Sequence, residues 1–299
     1  MVARVWIWLV SLSVLWGGSF FFAKVALAEL APLTVVFGRV ALAAIALQLA
    51  RLLLREVGPR AAPWRAFLAM GLLNNVIPFA LIFWGQTHIA AGLASILNAT
   101  TPLFTLVVAH LLTHDEKMNV RKTVAALAGL LGVAMLIGPD ALAGAVADVW
   151  GQIACLAAAL SYAFAGVYGR RFAAMGVPPL DVAAGQVTAS AMLILPIMLL
   201  VDQPWTLPVV PTAATLSALA ALALLSTALA YLLYFHILAE AGATRLLLVT
   251  FLIPVTAILL GWLVLGERLE PRHGAGMTLI GGGMVLVGSR SSGRRPPAK

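Results

Sequence analysis

The chain has 299 residues, 62% of them hydrophobic and 10% charged, with a mean hydropathy of +1.03. Soluble domains carry roughly 25% charged residues, so too few polar side chains are present to cover a water-facing surface, and the expected solvent is lipid. The net charge of +8 does not point to nucleic acid, because the basic residues fall between apolar runs and form no solvated stripe.

A spanning helix needs about 20 apolar residues. The first run, Val5 to Phe22, is longer than a signal-peptide core of roughly 7–15 residues, so it is expected to stay as a helix over 5–27. Further apolar runs predict helices over 33–54, 67–88, 91–112, 122–138, 149–169, 181–201, 212–235, 243–265 and 273–288. The fold class expected is therefore an all-α polytopic membrane protein with ten transmembrane helices. The fifth and tenth runs are short and glycine-rich. Ala125, Gly129 and Val133, and Gly274, Thr278 and Gly282, recur every four residues, a spacing that lets helices pack closely.

Lys and Arg set orientation. With the N-terminus inside, the cytoplasmic segments hold Arg4, Arg51, Arg55, Arg60, Arg65, Lys117, Arg121, Lys122, Arg170, Arg171 and Arg245. They also hold a basic tail, 289–299, with Arg290, Arg294, Arg295 and Lys299. Lys24, Arg268 and Arg272 fall outside, and Arg39 lies within the second helix. Both termini are expected in the cytoplasm.

The two halves match in outline, 1–138 against 149–288. "AKVALAELAPLTVV" (23–36) aligns with "GRRFAAMGVPPLDV" (169–182), and "PLFTLVVAHLLTHDEKMN" (102–119) with "PVTAILLGWLVLGERLEP" (254–271). Five helices per half predict two inverted repeats around a central cavity, a plan of secondary transporters.

The opening "LWGGSFFFAK" (15–24), the paired proline and acid–base segments, and the Gly-rich helix after each pair together resemble the drug/metabolite transporter superfamily in its EamA-type branch. Within that branch the chain resembles the YddG-type bacterial exporters of amino acids. The resemblance implies a secondary transporter in the bacterial inner membrane that exports small metabolites, amino acids first. "HDEK" in the first half departs from the "GER" of the second, which weakens a ligand role for the Glu–Arg pair.

Polar side chains in lipid are costly and are expected to face the bundle interior. Ser95, Asn98, Thr101 and Thr105 share one helical face, and Ser13, Trp16, Phe20 and Lys24 another. Asn74 and Asn75, Gln152, Cys155 and Tyr162, and Thr227, Tyr231 and Tyr234 join from three more segments. A substrate cavity is expected among Trp16, Phe20, Lys24, Arg39, Asn74, Asn75, Trp84, Ser95, Asn98, Thr101, Tyr162, Tyr231 and Tyr234. Lys24 also reads as a snorkelling cation near Glu29. Pro78, Pro102, Pro196 and Pro254 fall inside predicted helices; Pro78, Pro102 and Pro254 are candidate hinges.

All eleven acids lie in loops or at helix ends, so no carboxylate relay for protons is expected inside the membrane. No spacing fits a metal site, a P-loop or a catalytic triad. The expected function is facilitated alternating access without cofactor, metal or ATP, on an amino-acid-like substrate. A drug or nucleotide-sugar carrier and a channel-like pore are the alternatives. The small-molecule, amino-acid-like substrate and the lipid bilayer are the expected partners, without nucleic acid; the oligomeric state stays open, with a monomer as one option.

Overall fold

The computed structural model describes residues 3–54, 63–89, 91–114, 117–137, 149–206, 210–241, 246, 248–265 and 271–288. The basic tail, Arg245 and the two acid–base pairs at 115–116 and 267–270 lie outside them. Among the described residues all regular structure is helical. The first half holds α1 (Ala3–Leu27), α2 (Pro32–Leu53), α3 (Trp64–His88), α4 (Ala91–Asn98), α5 (Thr101–Leu112) and α6 (Val120–Ile137). The second holds α7 (Val149–Ala174) and α8 (Pro179–Val201). There follow α9, built from Ala213–Ala223, Leu224–Leu229 and Ala230–Ala241, then α10 (Leu248–Leu265) and α11 (Pro271–Gly288). Among the described residues six helices are long and apolar enough to cross a membrane: α1, α2, α3, α7, α8 and α9. Their outer faces carry bare large side chains such as Ile7, Leu53 and Leu200, as lipid contact requires.

Two irregularities depart from the sequence reading. The predicted helix 91–112 is interrupted at Ala99–Thr100. Pro102 therefore sits in the first turn of α5, where a missing N–H leaves no gap, and not inside a helix. The carbonyl it deprives, that of Asn98, accepts the Thr101 hydroxyl at 2.6 Å. Pro196 and Pro254 do fall inside helices. Pro78 follows a π turn, Leu72–Val76, in which the N–H of Ile77 reaches Leu72 O. In that register Leu73 O would pair with Pro78, which has no N–H; Ser161 of α7 donates to it instead at 2.7 Å.

A second π turn, Leu224–Leu229, lies in α9. A step of 152 residues carries Leu72 onto Leu224, as it carries Pro102 onto Pro254. Packing repeats with the same logic. A Cβ on Gly38 of α2 would meet Leu219 of α9 at 2.7 Å, and one on Gly185 of α8 would meet the Phe67 ring of α3 at 2.6 Å. Steps of 147 (Gly38 to Gly185) and 152 (Phe67 to Leu219) turn one contact into the other. On α6 and α11, Gly132 abuts Gly276 O and Ile280 N, and Gly283 abuts Ala125 O and Gly129 N; a step of 151 exchanges them. The expected close packing of these two helices is thus present. The second small-residue triplet is corrected. Gly274, Thr278 and Gly282 are exposed, and Gly276, Ile280 and Gly283 make the contact, because the buried face runs one to two residues later than the four-residue spacing suggested.

α2 and α8 run antiparallel, joined by Thr34 to Asp202 at one end, Gln48 to Thr188 within, and Arg51 to Asp181 at the other, 2.5 Å apart. Near the Asp202 end, the Glu29 carboxylate after α1 accepts the backbone N–H (2.7 Å) and hydroxyl (2.8 Å) of Thr212, the residue that caps α9. Asp202 likewise accepts the N–H (2.6 Å) and hydroxyl (2.9 Å) of Thr34 in the first turn of α2. Each loop gives a carboxylate to a helix start of the other half, where unpaired N–H groups favour an anion.

Candidate substrate cavity

A cavity of about 130 Å³ opens between α1, α2, α3, α7, α9 and α10, with the junction of α4 and α5 on one side. Nine of the expected residues line it: Trp16, Phe20, Arg39, Asn74, Asn98, Thr101, Tyr162, Tyr231 and Tyr234. The lining also includes Ser19, Phe79, Ile82, Phe83, Gln86, Gly166, Leu246, Val249, Thr250 and Ile253. No Asp or Glu is among them.

Arg39 is the charged member. It is 4% exposed. Its Nε donates to Thr227 Oγ1 at 2.7 Å and its Nη2 to Ser226 O at 3.2 Å. Its guanidinium carbon lies 3.9 Å from the Phe79 ring centre and 5.8 Å from that of Phe83, a stacking that guanidinium tolerates and a compact ammonium does not match. The second π turn makes this possible: Thr227 Oγ1 folds back onto Leu222 O while Ser226 O turns to Arg39. Ser226 Oγ donates to Leu15 O at 2.7 Å, which ties α9 to α1 next to Trp16.

A second network fixes the aromatic wall beside it. Asn74 Nδ2 donates to Gln186 Oε1 (3.1 Å) and to the Tyr231 hydroxyl (3.3 Å). Tyr231 in turn donates to Asn75 Oδ1, and Asn75 Nδ2 donates to Ser190 Oγ at 2.8 Å. Tyr231 and Tyr234 sit edge to face, and Tyr234 tilts against Trp16. The aromatic wall is thereby held by bonds to α3 and α8, in the way that preorganised sites are supported.

Four expected residues lie outside the lining. Asn75 is fully buried behind the wall and holds Tyr231. Ser95 is buried but borders no part of the cavity. Trp84 is 39% exposed and packs on His88 at 4.2 Å. The cause is the first π turn. It absorbs one residue and turns everything after it back by roughly 100°, which lines Asn74 up with Phe79, Ile82 and Gln86 and sends Trp84 to the far face. Lys24 is exposed in the last turn of α1, and the expected neighbour Glu29 is engaged by Thr212. The same turn, once known, is the signal that finds Gln86. Leu246, Val249 and Ile253 carry no such signal, since an apolar cavity wall and a lipid face look alike in sequence. Among the described residues no cluster of His, Cys, Asp or Glu could hold a metal ion.

The EamA-like transporter family profile matches residues 4–138 and again 149–289. The chain belongs to the EamA-like transporter family. Its EamA-like relatives include the uncharacterized transporter YoaV of Bacillus subtilis (strain 168), 27% identical over 95% of this chain and 97% of its own. The inner membrane transporter YedA of Escherichia coli (strain K12), also uncharacterized, is 28% identical over 93% of this chain and 89% of its own. The probable terminal-alkyne amino-acid exporter of Streptantibioticus cattleyicolor is 25% identical over 98% and 96%. One crystal structure shares the fold with a TM-score of 0.74 at 22% identity, covering 96% of this chain and 98% of that one. The protein is a multi-pass membrane protein of a transporter family, and the cavity is the place in it where polar and aromatic groups converge.

Proposed function

We propose that the protein is a secondary carrier of small amino-acid-like metabolites that works by alternating access. The observation that carries this reading is the buried Arg39 guanidinium in an aromatic cavity whose described lining holds no acidic residue. A cation kept out of water needs a compensating anion; a substrate carboxylate supplies one, and the aromatic walls accept an apolar body. The relative named as a probable amino-acid exporter supports that substrate class and the direction.

Ten spanning helices in two inverted five-helix repeats, 1–138 and 149–288, frame the site. The antiparallel course of the corresponding helices α2 and α8, and of α6 and α11, supports inversion. The distribution of Lys and Arg supports cytoplasmic termini, and the relative named as an inner membrane transporter supports that location. That no carboxylate stands among the described lining residues favours flux down the substrate gradient without proton coupling. Pro254 within α10 and Pro78 beside the π turn are the hinge positions. Full-length protein in liposomes, given a panel of labelled amino acids with and without a pH gradient, tests the reading. Saturable flux without a gradient is expected. Absence of flux for every amino acid, or a strict need for a proton gradient, overturns the substrate class or the coupling respectively.

A further inference from the structure

Beyond Arg39, two polar atoms at the cavity wall are unusual. Gln86 Oε1 and Asn98 Oδ1 are buried and have no hydrogen-bond partner among the described residues, and both residues line the cavity. Buried amide oxygens are seldom left unpaired, because each gave up a water to get there. The orientation of Gln86 is fixed from its other side: its Nε2 points to Phe20 O at 3.4 Å, so the oxygen, not the nitrogen, is the open end. Asn98 stands at the interruption between α4 and α5, where its own backbone carbonyl is already taken by Thr101. Both open ends are acceptors and call for an N–H or O–H donor.

Arg39 offers the complement. Two of its nitrogens are committed to Thr227 and Ser226. Its Nη1 has no partner among the described residues and can only donate. The acceptors and the donor do not lie at one spot. Phe79 and Phe83 stack on Arg39, and Gln86 follows Phe83 by most of a helical turn, about 4.5 Å along the axis. One cavity therefore presents an anion-seeking group at Arg39 and two donor-seeking oxygens at Gln86 and Asn98, with aromatic rings in the same lining.

We propose that the cavity binds its substrate in one polarity, with a carboxylate on Arg39 and an amino group on the side-chain oxygens of Gln86 and Asn98. The assignment rests on the carrier reading above and refines it. It makes the site a reader of both charges of a zwitterion. An amine without a carboxylate meets a fixed cation with no acid among the described lining residues to offset it. A carboxylate without an amine leaves two amide oxygens unpaired. Selectivity of this kind comes mostly from polar groups stranded by the wrong ligand.

The test uses full-length protein in liposomes and the amino acid that the panel shows is carried fastest. Its flux is competed with the unlabelled amino acid, its carboxamide, its decarboxylated amine and its deaminated acid. The carboxamide and the amine are expected to compete at least tenfold more weakly than the amino acid, and the deaminated acid at least threefold more weakly. Arg39→Met removes the preference over the carboxamide. Gln86→Leu with Asn98→Leu removes the preference over the deaminated acid and leaves the other intact, which separates the two ends in protein that keeps Arg39 and its partners. Carboxamide competing as well as the amino acid, in protein that carries amino acids, overturns the polarity and leaves the carrier reading standing. The deaminated acid competing equally assigns the two amide oxygens to water and overturns their role. Wild-type protein that carries no amino acid overturns the carrier reading instead.

Discussion

Two helix contacts across the midline are copies of one design and differ at a single step. In the first, α2 meets α9 through Gly38 and Leu219; in the second, α8 meets α3 through Gly185 and Phe67. One residue further on, the first contact places Arg39 against Ser226 and Thr227, and the second places Gln186 against Asn74. The same steps of 147 and 152 residues relate Arg39 to Gln186 and Asn74 to Ser226. The glycines, which set how near two backbones come, are common to both. The residues that follow are free to diverge because side chains make the reach there, Arg39 to Thr227 and the Ser226 carbonyl and Gln186 to Asn74. One copy has become a charge at the cavity and the other a neutral buttress behind it. A duplicated scaffold thus becomes an asymmetric site by changing one pair, not the packing.

The widest gap between the copies is expected in transport. Arg39→Met should lower flux of the best-carried amino acid by about 100-fold, the scale for removing a buried partner of a charge, whereas Gln186→Met should keep it within about threefold, as rates in liposomes would read. Equal losses would mean that the asymmetry serves the fold alone. The glycines should differ next. A methyl on Gly185 strikes Phe67, which is clamped in a stack with Phe172 at 5.5 Å, so Gly185→Ala should cost about 1–3 kcal/mol by overpacking. Gly38→Ala pushes only on the end of the half-buried Leu219 and should cost under about 1 kcal/mol; thermal melts in detergent compare them.

The carboxylate ties at the loops sharpen the comparison through pH. Hydrogen bonding from the Thr212 backbone N–H, then its hydroxyl, holds the Glu29 carboxyl below its ordinary value of 4.5. Its contribution is fully present above that value and fades as pH falls through the lower, folded value. Glu29→Gln should therefore reduce the melting temperature at pH 7 and leave it close to wild type at the acid end, below both values. A constant difference across pH would remove the carboxylate from the tie. The smallest effect is expected at Lys24, where Lys24→Met should leave flux within about twofold, since the side chain is exposed and outside the lining.

Much of the helical layout is legible in apolar run length, because lipid leaves the backbone few alternatives. The runs place α1, α2 and α8 to within two residues. The candidate site is legible where residues keep helical phase: Trp16 and Phe20 on α1, Arg39 on α2, Tyr231 and Tyr234 after the second π turn. It is lost where phase slips. The π turn at Leu72–Val76 carries Trp84 to the far face, and the break at Ala99–Thr100 parts Ser95 from Thr101. Phase changes of one residue leave no mark in composition, and the hydrogen bonds that stabilise them come from distant helices, as Ser161 does for Leu73. Lys24 misled for another reason: a lysine near a helix end reads the same whether it faces a cavity or the headgroups.

The Arg39 contact also imposes an order on how the protein comes into being. Its two partners lie 187 and 188 residues later in the chain. At about 5–20 residues per second, a ribosome needs roughly 10–40 s to deliver them. Through that interval α2 is complete, and its guanidinium must wait for partners that have not been made, in a half whose α3 amides also lack α8. Every chain therefore passes through a stage in which Arg39 lacks the partners that hold it in the finished protein, and any chain that stops before residue 226 keeps it so.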